Sequence, residues 1–238
     1  MPPSRPEADH RIVIGDQAVA YRLRRSQRRT IGLAIDHRGL RVGAPAGARL
    51  GDIENLIRQH GQWVLDKLST WQTRASATPF TVTDGIVLTI IGEPVTILLS
   101  EIGRQRWQFG PGRLYLRPDA RHPANALLVA ALRDRARAIF AERLEWHAVR
   151  LGVPTPPLRL SSARTRWGSC SQRGGIALNW RLVLMPPAII DYVVCHELAH
   201  LKEMNHSPRF WSVVEQLCPD WQARRLELRR LGREIPQL

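Results

Sequence analysis

The sequence is poor in cysteine and has no long apolar run. Its three cysteines, Cys170, Cys195 and Cys218, form an odd set without C-x-x-C spacing. That argues against a disulfide framework and fits reduced thiols in a cytoplasmic setting. No apolar stretch approaches the ~20 residues needed to cross a bilayer, so no membrane role is expected. Residues 1–10 lack the apolar core of a signal peptide and read as a short disordered lead. Internal repeats, low-complexity tracts, a Gly-rich phosphate loop and a carboxylate cluster of the magnesium-binding kind are all missing. Acidic residues are scarce as well: 21 stand against 35 Lys+Arg, mostly arginine, for a net charge of +14. This excess admits a nucleic acid or nucleotide partner. Much of the arginine falls in amphipathic helices, however, where it serves as a solvated face. Arg24-Arg25 with Arg28-Arg29 form a dense patch, between two expected strands.

What remains is an ordinary globular composition, 44% hydrophobic over 238 residues, enough for one large domain or two small ones. Residues 11–75 read as a β-meander followed by a helix. Short apolar or alternating runs at Ile12–Ile14, Val19–Leu23, Thr30–Ile35 and Leu40–Val42 are punctuated by Gly15-Asp16 and His37-Arg38-Gly39. The helix is expected from Leu50 to Thr70, with Ile53, Leu56, Ile57, Trp63, Val64, Leu68 and Trp71 at helical spacing and Asp52 in its first turn. Residues 72–79 read as a linker. A second β-region occupies 76–120, its turns marked by Gly85, Gly92-Glu93-Pro94 and Gly110-Pro111-Gly112.

Residues 121–238 are expected to form the catalytic part. Pro123 opens a long helix that ends near Gly152. Two strands, Leu158–Trp167 and Gly175–Leu184, are expected to join as a hairpin, followed by three helices. Asp220 is the expected N-cap of the last of them. The fold class is therefore α+β, with a β-rich N-terminal region and a C-terminal hairpin packed on the helix that carries the chemistry.

That chemistry is concentrated in His196-Glu197-Leu198-Ala199-His200, with His206 six positions on. H-E-x-x-H is short enough to arise by chance, but its setting is informative. Pro186-Pro187 suit a first helical turn. Ile189, Ile190, Val193, Val194, Leu198 and Leu201 then give a broadly apolar helix that would be buried. On such a helix His196 and His200 share a face, one turn apart. An unpaired imidazole or carboxylate there is costly to desolvate, and a metal ion removes that cost. Asn205 is expected to stop the helix in the left-handed conformation. Ser207-Pro208 read as the N-cap and first position of the next helix. His206 would thus sit in a tight turn that brings it back to the metal. Three nitrogen ligands, with Glu197 as general base for a zinc-activated water, describe a catalytic Zn2+ site. Asp191, Glu203 and Glu215 are candidates to orient the ligand imidazoles. Cys195 points about 100° away from His196 around the helix and reads as core, and Cys170 is not assigned as a ligand. Arg164 and Arg166 flank the expected cleft strand and suit a carboxylate or phosphate. Trp167, Trp180 and Trp211 read as core.

The run Tyr192–Leu201 through Asn205–Trp211 resembles the YgjP-like metallopeptidase domain, whose metal motif is similar to those of the WLM and SprT-like proteases. Arg166-Trp167-Gly168-Ser169-Cys170-Ser171 and Ile176–Leu182 extend the resemblance, as do Tyr21–Ser26 and Arg41–Pro45 more weakly. The resemblance implies a zincin-like hydrolase, a metalloprotease acting on a peptide or protein substrate, with metal at His196, His200 and His206 and Glu197 as base. It also implies that an edge strand, within Arg166–Ser171 or Gly175–Leu182, pairs with an extended substrate. Two other readings stay open. One is a metal-dependent nucleoside triphosphate pyrophosphohydrolase. The other is a DNA-associated protease or nucleic-acid-binding module of the WLM or SprT-like kind.

Overall fold

The computed structural model describes residues 8–36, 38–76, 80–101 and 105–238. The chain divides into two units, 1–78 and 79–238. No described helix is long and apolar enough to cross a membrane.

The first unit has four strands, β1 (Ala8–Ile14), β2 (Gln17–Ser26), β3 (Gly32–Asp36) and β4 (Gly39–Pro45), with clear alternation of burial in β1, β2 and β4. Their order is β1-β2-β4-β3, with β2 parallel to β4, so the expected meander is not formed. The reason lies in burial. Leu40, Val42 and Ala44 of β4 are at most 1% exposed, and the central position gives them cover on both sides. The single expected helix is two: α1 (Leu50–Gln59) and α2 (Gly61–Ser76). They break at His60, and the Gly61 that follows has no room for a side chain, since a Cβ there would stand 2.6 Å from the Ile14 side chain. Residues 72–76 of the expected linker therefore belong to α2, whereas 77–79 and the side chain of Trp71 lie outside the described residues. The turn residue His37 does too.

The second unit opens with β5 (Val87–Ile90), β6 (Glu93–Leu99), β7 (Trp107–Gly110) and β8 (Arg113–Leu116), in the order β5-β6-β8-β7. Antiparallel, parallel and antiparallel pairings follow one another as in the first sheet. A topological repeat is thus present where the sequence shows none, because pairing order depends on burial pattern rather than on residue identity. Ile91 and Gly92, both at positive φ, make the two-residue turn between β5 and β6. Gly92 is needed for space as well, since a Cβ there would lie 3.2 Å from Pro187. This hairpin tip therefore buttresses the start of the metal-motif helix. Ile90, Ile97, Leu114 and Leu116 share one apolar core with the C-terminal helices.

Helix α3 (Ala124–Leu151) ends at Gly152, which takes the left-handed conformation (φ 69°) that closes a helix without a Cβ clash. The expected first strand of the C-terminal hairpin divides into β9 (Leu158–Ser161) and β10 (Gly168–Cys170). β11 (Ile176–Asn179) completes a sheet of order β10-β11-β9. The hairpin is β10–β11, and β9 runs parallel to β11. Trp180–Leu184 is a 3-10 turn, not strand, because the Asn179 side chain accepts from the Arg181 N–H at 3.1 Å and caps it. Helices α4 (Pro187–Ala199), α5 (Pro208–Leu217) and α6 (Trp221–Glu234) follow. Asp220 makes no side-chain cap to α6; its carboxylate pairs instead with Arg224 at 2.8 Å.

Candidate metal centre

His196 and His200 lie at the end of α4, one turn apart. After His200 the chain tightens: Leu201 and Lys202 donate to the carbonyls three residues back, Leu198 and Ala199. Asn205 is not left-handed, as the sequence suggested. Its side chain instead accepts from the Ser207 N–H at 3.0 Å, so the turn is closed by side chain rather than backbone conformation. Ser207 then caps α5 by accepting from the Phe210 N–H at 3.3 Å. Between these two bonds His206 faces α4. The three ring centroids lie 4.9–5.2 Å apart, and ligand-capable atoms of all three residues fall within 4.8 Å of one another. The Nε2 atoms of His196 and His206 are 3.2 Å apart.

The donor set fits a divalent metal. Burial, then the neighbouring imidazoles and Arg225, push His196 down to about 3, and burial lowers His200 as well, so both rings are neutral with a lone pair to give. His200 Nδ1 lies 3.2 Å from the Glu203 carbonyl, which can accept only from an N–H. That assigns the proton to Nδ1 and leaves Nε2 with the lone pair that a metal could take. Buried Nδ1 of His196 has no hydrogen-bond partner among the described residues, an orphan of the kind a protein tolerates at a site with another purpose. Of the three acidic residues considered for orienting the ligands, only Glu203 takes part, through its carbonyl. Glu215 is exposed and Asp191 is engaged elsewhere.

Beneath the rings lies Phe210, fully buried, with centroids 4.6–4.9 Å from all three imidazoles. Trp211 stacks on Trp221 at 4.1 Å and lies 5.9 Å from His206. The sequence suggests a core position for Trp211 but gives no sign that Phe210, one turn beyond His206, underlies the rings. Trp180 is buried, and Trp167 packs against Gly232 of α6, where a Cβ would approach its ring to 2.9 Å. Cys195 is core, and Cys170 stands outside the histidine group.

Glu197 is 5% exposed, and burial pushes its carboxyl up to about 7 against the opposing pull of Arg166. It packs on Gly168 of β10. A Cβ at Gly168 would stand 2.6 Å from Glu197 Cγ and 2.7 Å from its Cδ. The φ of Gly168 is not in the left-handed region, so glycine is required there for space alone. The sequence displayed Gly168 without showing what it faces. Asn179 holds this rim: its Nδ2 donates to the carbonyls of Ala163 (2.7 Å) and Arg166 (3.2 Å). With Glu197 as a reacting group, Gly168→Ala would lower kcat by about 100-fold with metal content unchanged, since displacing such a group by ~1 Å costs that much. Turnover measured beside metal analysis checks it, and near-normal kcat would remove Gly168 from the site.

Helix α4 is also braced from behind. Arg143 of α3 donates to both Asp191 oxygens, at 2.6 and 2.8 Å, His147 Nε2 lies 3.3 Å from the same carboxylate, and the Cys195 thiol is 3.2 Å from His147 Nδ1. Burial raises the Asp191 pKa, but the bonds from His147 and Arg143 outweigh it and hold the group below its ordinary value. A carboxylate so depressed adds stability above the unfolded-state pKa of 3.8 and loses it as pH falls through the folded value. Asp191→Asn is therefore expected to lower Tm at neutral pH and to flatten the acid side of the stability profile. Melting curves from pH 7 down to acid would show it.

Among curated proteins none matches the chain significantly. Of solved structures, the zymogen of the metallopeptidase abylysin from Pyrococcus abyssi is 27% identical, covering 42% of this chain and 99% of its own, with a TM-score of 0.36. The jannalysin zymogen of Methanocaldococcus jannaschii is 16% identical, over 37% of this chain and 94% of its own, with a TM-score of 0.32. The profile of the YgjP-like metallopeptidase domain matches residues 29–231, and the chain belongs to that family, one whose name implies a metal ion and a hydrolase.

Proposed function

We propose that the protein is a zinc-dependent metallopeptidase, with His196, His200 and His206 holding the metal and Glu197 as general base. The observation that carries this is the convergence of three imidazoles beside a buried carboxylate that touches a sheet edge. When bound, zinc supplies Lewis acidity, polarising a carbonyl and bringing the pKa of water to about 7. Glu197, poised near neutrality by burial, takes the proton from the attacking water and returns it to the leaving amine. β10 pairs with β11 along one side only, so its outer side suits an extended peptide added as a further strand. The packing of Gly168 against Glu197 brings such a peptide alongside the base. The catalytic machinery falls in residues 121–238. Three free cysteines agree with a reducing, cytoplasmic setting.

Parallel assays on an unfolded protein and on nucleoside triphosphates test the reading. Cleavage of the protein, abolished by a chelator and restored by zinc, is expected. Triphosphate hydrolysis that depends on Glu197, with the protein substrate left intact, would replace peptidase with pyrophosphohydrolase.

A further inference from the structure

Helix α6 runs along one side of the metal centre. At its start Trp221 stacks on Trp211 at 4.1 Å, and Trp211 lies 5.8 Å from His196 and 5.9 Å from His206. Towards its end Gly232 meets Trp167, the residue between Arg166 and Gly168, so closely that a Cβ would stand 2.9 Å from the indole. The helix therefore reaches from the histidines to the strand that packs on Glu197. Trp221, Arg225 and Arg229 recur every four residues and share one side of it. The Cζ of Arg225 sits over the Trp211 ring, 5.3 Å from its centroid.

Charge is not balanced on that side. The carboxylates of α6 and its N-cap are all taken: Asp220 and Glu227 pair with Arg224 at 2.8 and 3.2 Å, and Glu234 pairs with Arg230 at 2.9 Å. Arg225 and Arg229 make no hydrogen bond or ion pair among the described residues, although like charges four apart on a helix repel. Arg166 is in the same position. Its carbonyl is held by Asn179 at 3.2 Å, but its exposed guanidinium has no partner among the described residues. These charges reach the site. Burial is the largest influence on His196, Tyr192 and Glu197, and at His196 the neighbouring imidazoles come next. Beyond these, Arg225 pulls His196 and Tyr192 down, Arg229 pulls Tyr192 down and Arg166 pulls Glu197 down. Tyr192 is one turn before His196, its ring 6.1 Å away.

We infer that, on the peptidase reading above, the peptide cleaved is acidic, its carboxylates held by Arg225 and Arg229 of α6 and by Arg166 beside β10. A guanidinium without a protein partner is free to fork onto a carboxylate. These three are strung out rather than gathered at one point. From the level of Arg225 to that of Gly232, where Trp167 packs, is about 10 Å along the helix, the length of about three extended residues. A peptide added at the free edge of β10 presents side chains over such a length, alternate ones to the same side. A lysine-rich peptide meets the same charges as repulsion, so the arginines reject as well as attract.

Fluorogenic peptides of one length, alike except for Glu, Gln or Lys at alternate positions, test this with the zinc-loaded full chain. Exposed ion pairs are each worth about two-fold, so three of them should favour the Glu peptide over the Gln peptide by about 10-fold in kcat/KM, mainly through KM. The Lys peptide should fall below both, and added salt should shrink the differences. Arg166→Gln, Arg225→Gln and Arg229→Gln should each cut the Glu-to-Gln ratio about two-fold. Arg230→Gln, whose guanidinium is already paired with Glu234, should change it less. The double variant Arg225→Glu, Arg229→Glu should turn the preference towards Lys. A ratio is not imitated by a general loss of turnover, and Tm confirms that each variant is folded. Equal cleavage of the three peptides overturns the inference, as does a Glu-to-Gln ratio untouched by the three Gln substitutions together. Tighter binding of the Glu peptide, read by anisotropy, with no peptide cleaved, overturns the peptidase reading and leaves the acidic ligand standing. Equal binding without cleavage overturns both.

Discussion

Glu197→Gln is expected to abolish hydrolysis, by about 10³–10⁴-fold in kcat, while the metal stays bound. The amide keeps the shape of the carboxylate, so the close packing on Gly168 survives the change. Burial at 5% exposure also favours the neutral side chain, and the fold should not suffer. The three imidazoles are untouched, and with them the donor set. What is lost is one function: an acceptor for the water proton that can also return it. A carboxyl group whose pKa is pushed to about 7 is matched to both halves of that task near neutral pH, and an amide to neither. Metal analysis of the purified variant, run beside turnover on an unfolded protein, separates the outcomes. Lost turnover with retained metal assigns Glu197 to chemistry. Lost turnover with lost metal makes it a structural support, and unchanged turnover makes it neither.

The parts of this site that were legible in the sequence are those encoded within about a dozen residues. His196 and His200 share a face because of the helical repeat, and Ser207-Pro208 announces the start of α5. Even there, one local inference failed: Asn205 closes its turn with its side chain rather than with left-handed backbone, and both routes use the same residue. The illegible parts are contacts between distant segments. Gly168 meets Glu197, Arg143 and His147 meet Asp191, and Gly61 meets Ile14. No window of sequence contains both members of such a pair. Strand existence was readable from alternation, whereas strand order was not. Both sheets place their fourth strand beside the second, in parallel, and nothing local distinguishes that from a meander. The same limit holds at the surface, since Arg22 and Arg41 become neighbours only through that parallel pairing.

Removing a ligand should act on the metal first and on catalysis through it. His200→Ala is expected to weaken zinc binding by more than 100-fold, because even groups that merely orient a ligand are worth 10–100-fold. Of the three proposed ligands His200 is the best prepared in advance: the Glu203 carbonyl fixes its proton and ring orientation, and Phe210 packs beneath it at 4.6 Å. His206 sits on an exposed turn held by Asn205 and Ser207, so more of its ordering is left to the binding step. His206→Ala should therefore cost less than His200→Ala, though still enough to impair turnover. The difference is measurable without any substrate. Zinc that binds only the folded state raises its stability by RT ln(1 + [Zn]/Kd). At a fixed excess of zinc, a 100-fold weaker site forfeits about 2.7 kcal/mol of that gain, read as a smaller rise in Tm on adding metal. The expected order of that rise is wild type, then His206→Ala, then His200→Ala. Tight one-to-one zinc binding by His200→Ala would remove His200 from the metal, and with it the three-histidine site on which the proposed chemistry rests.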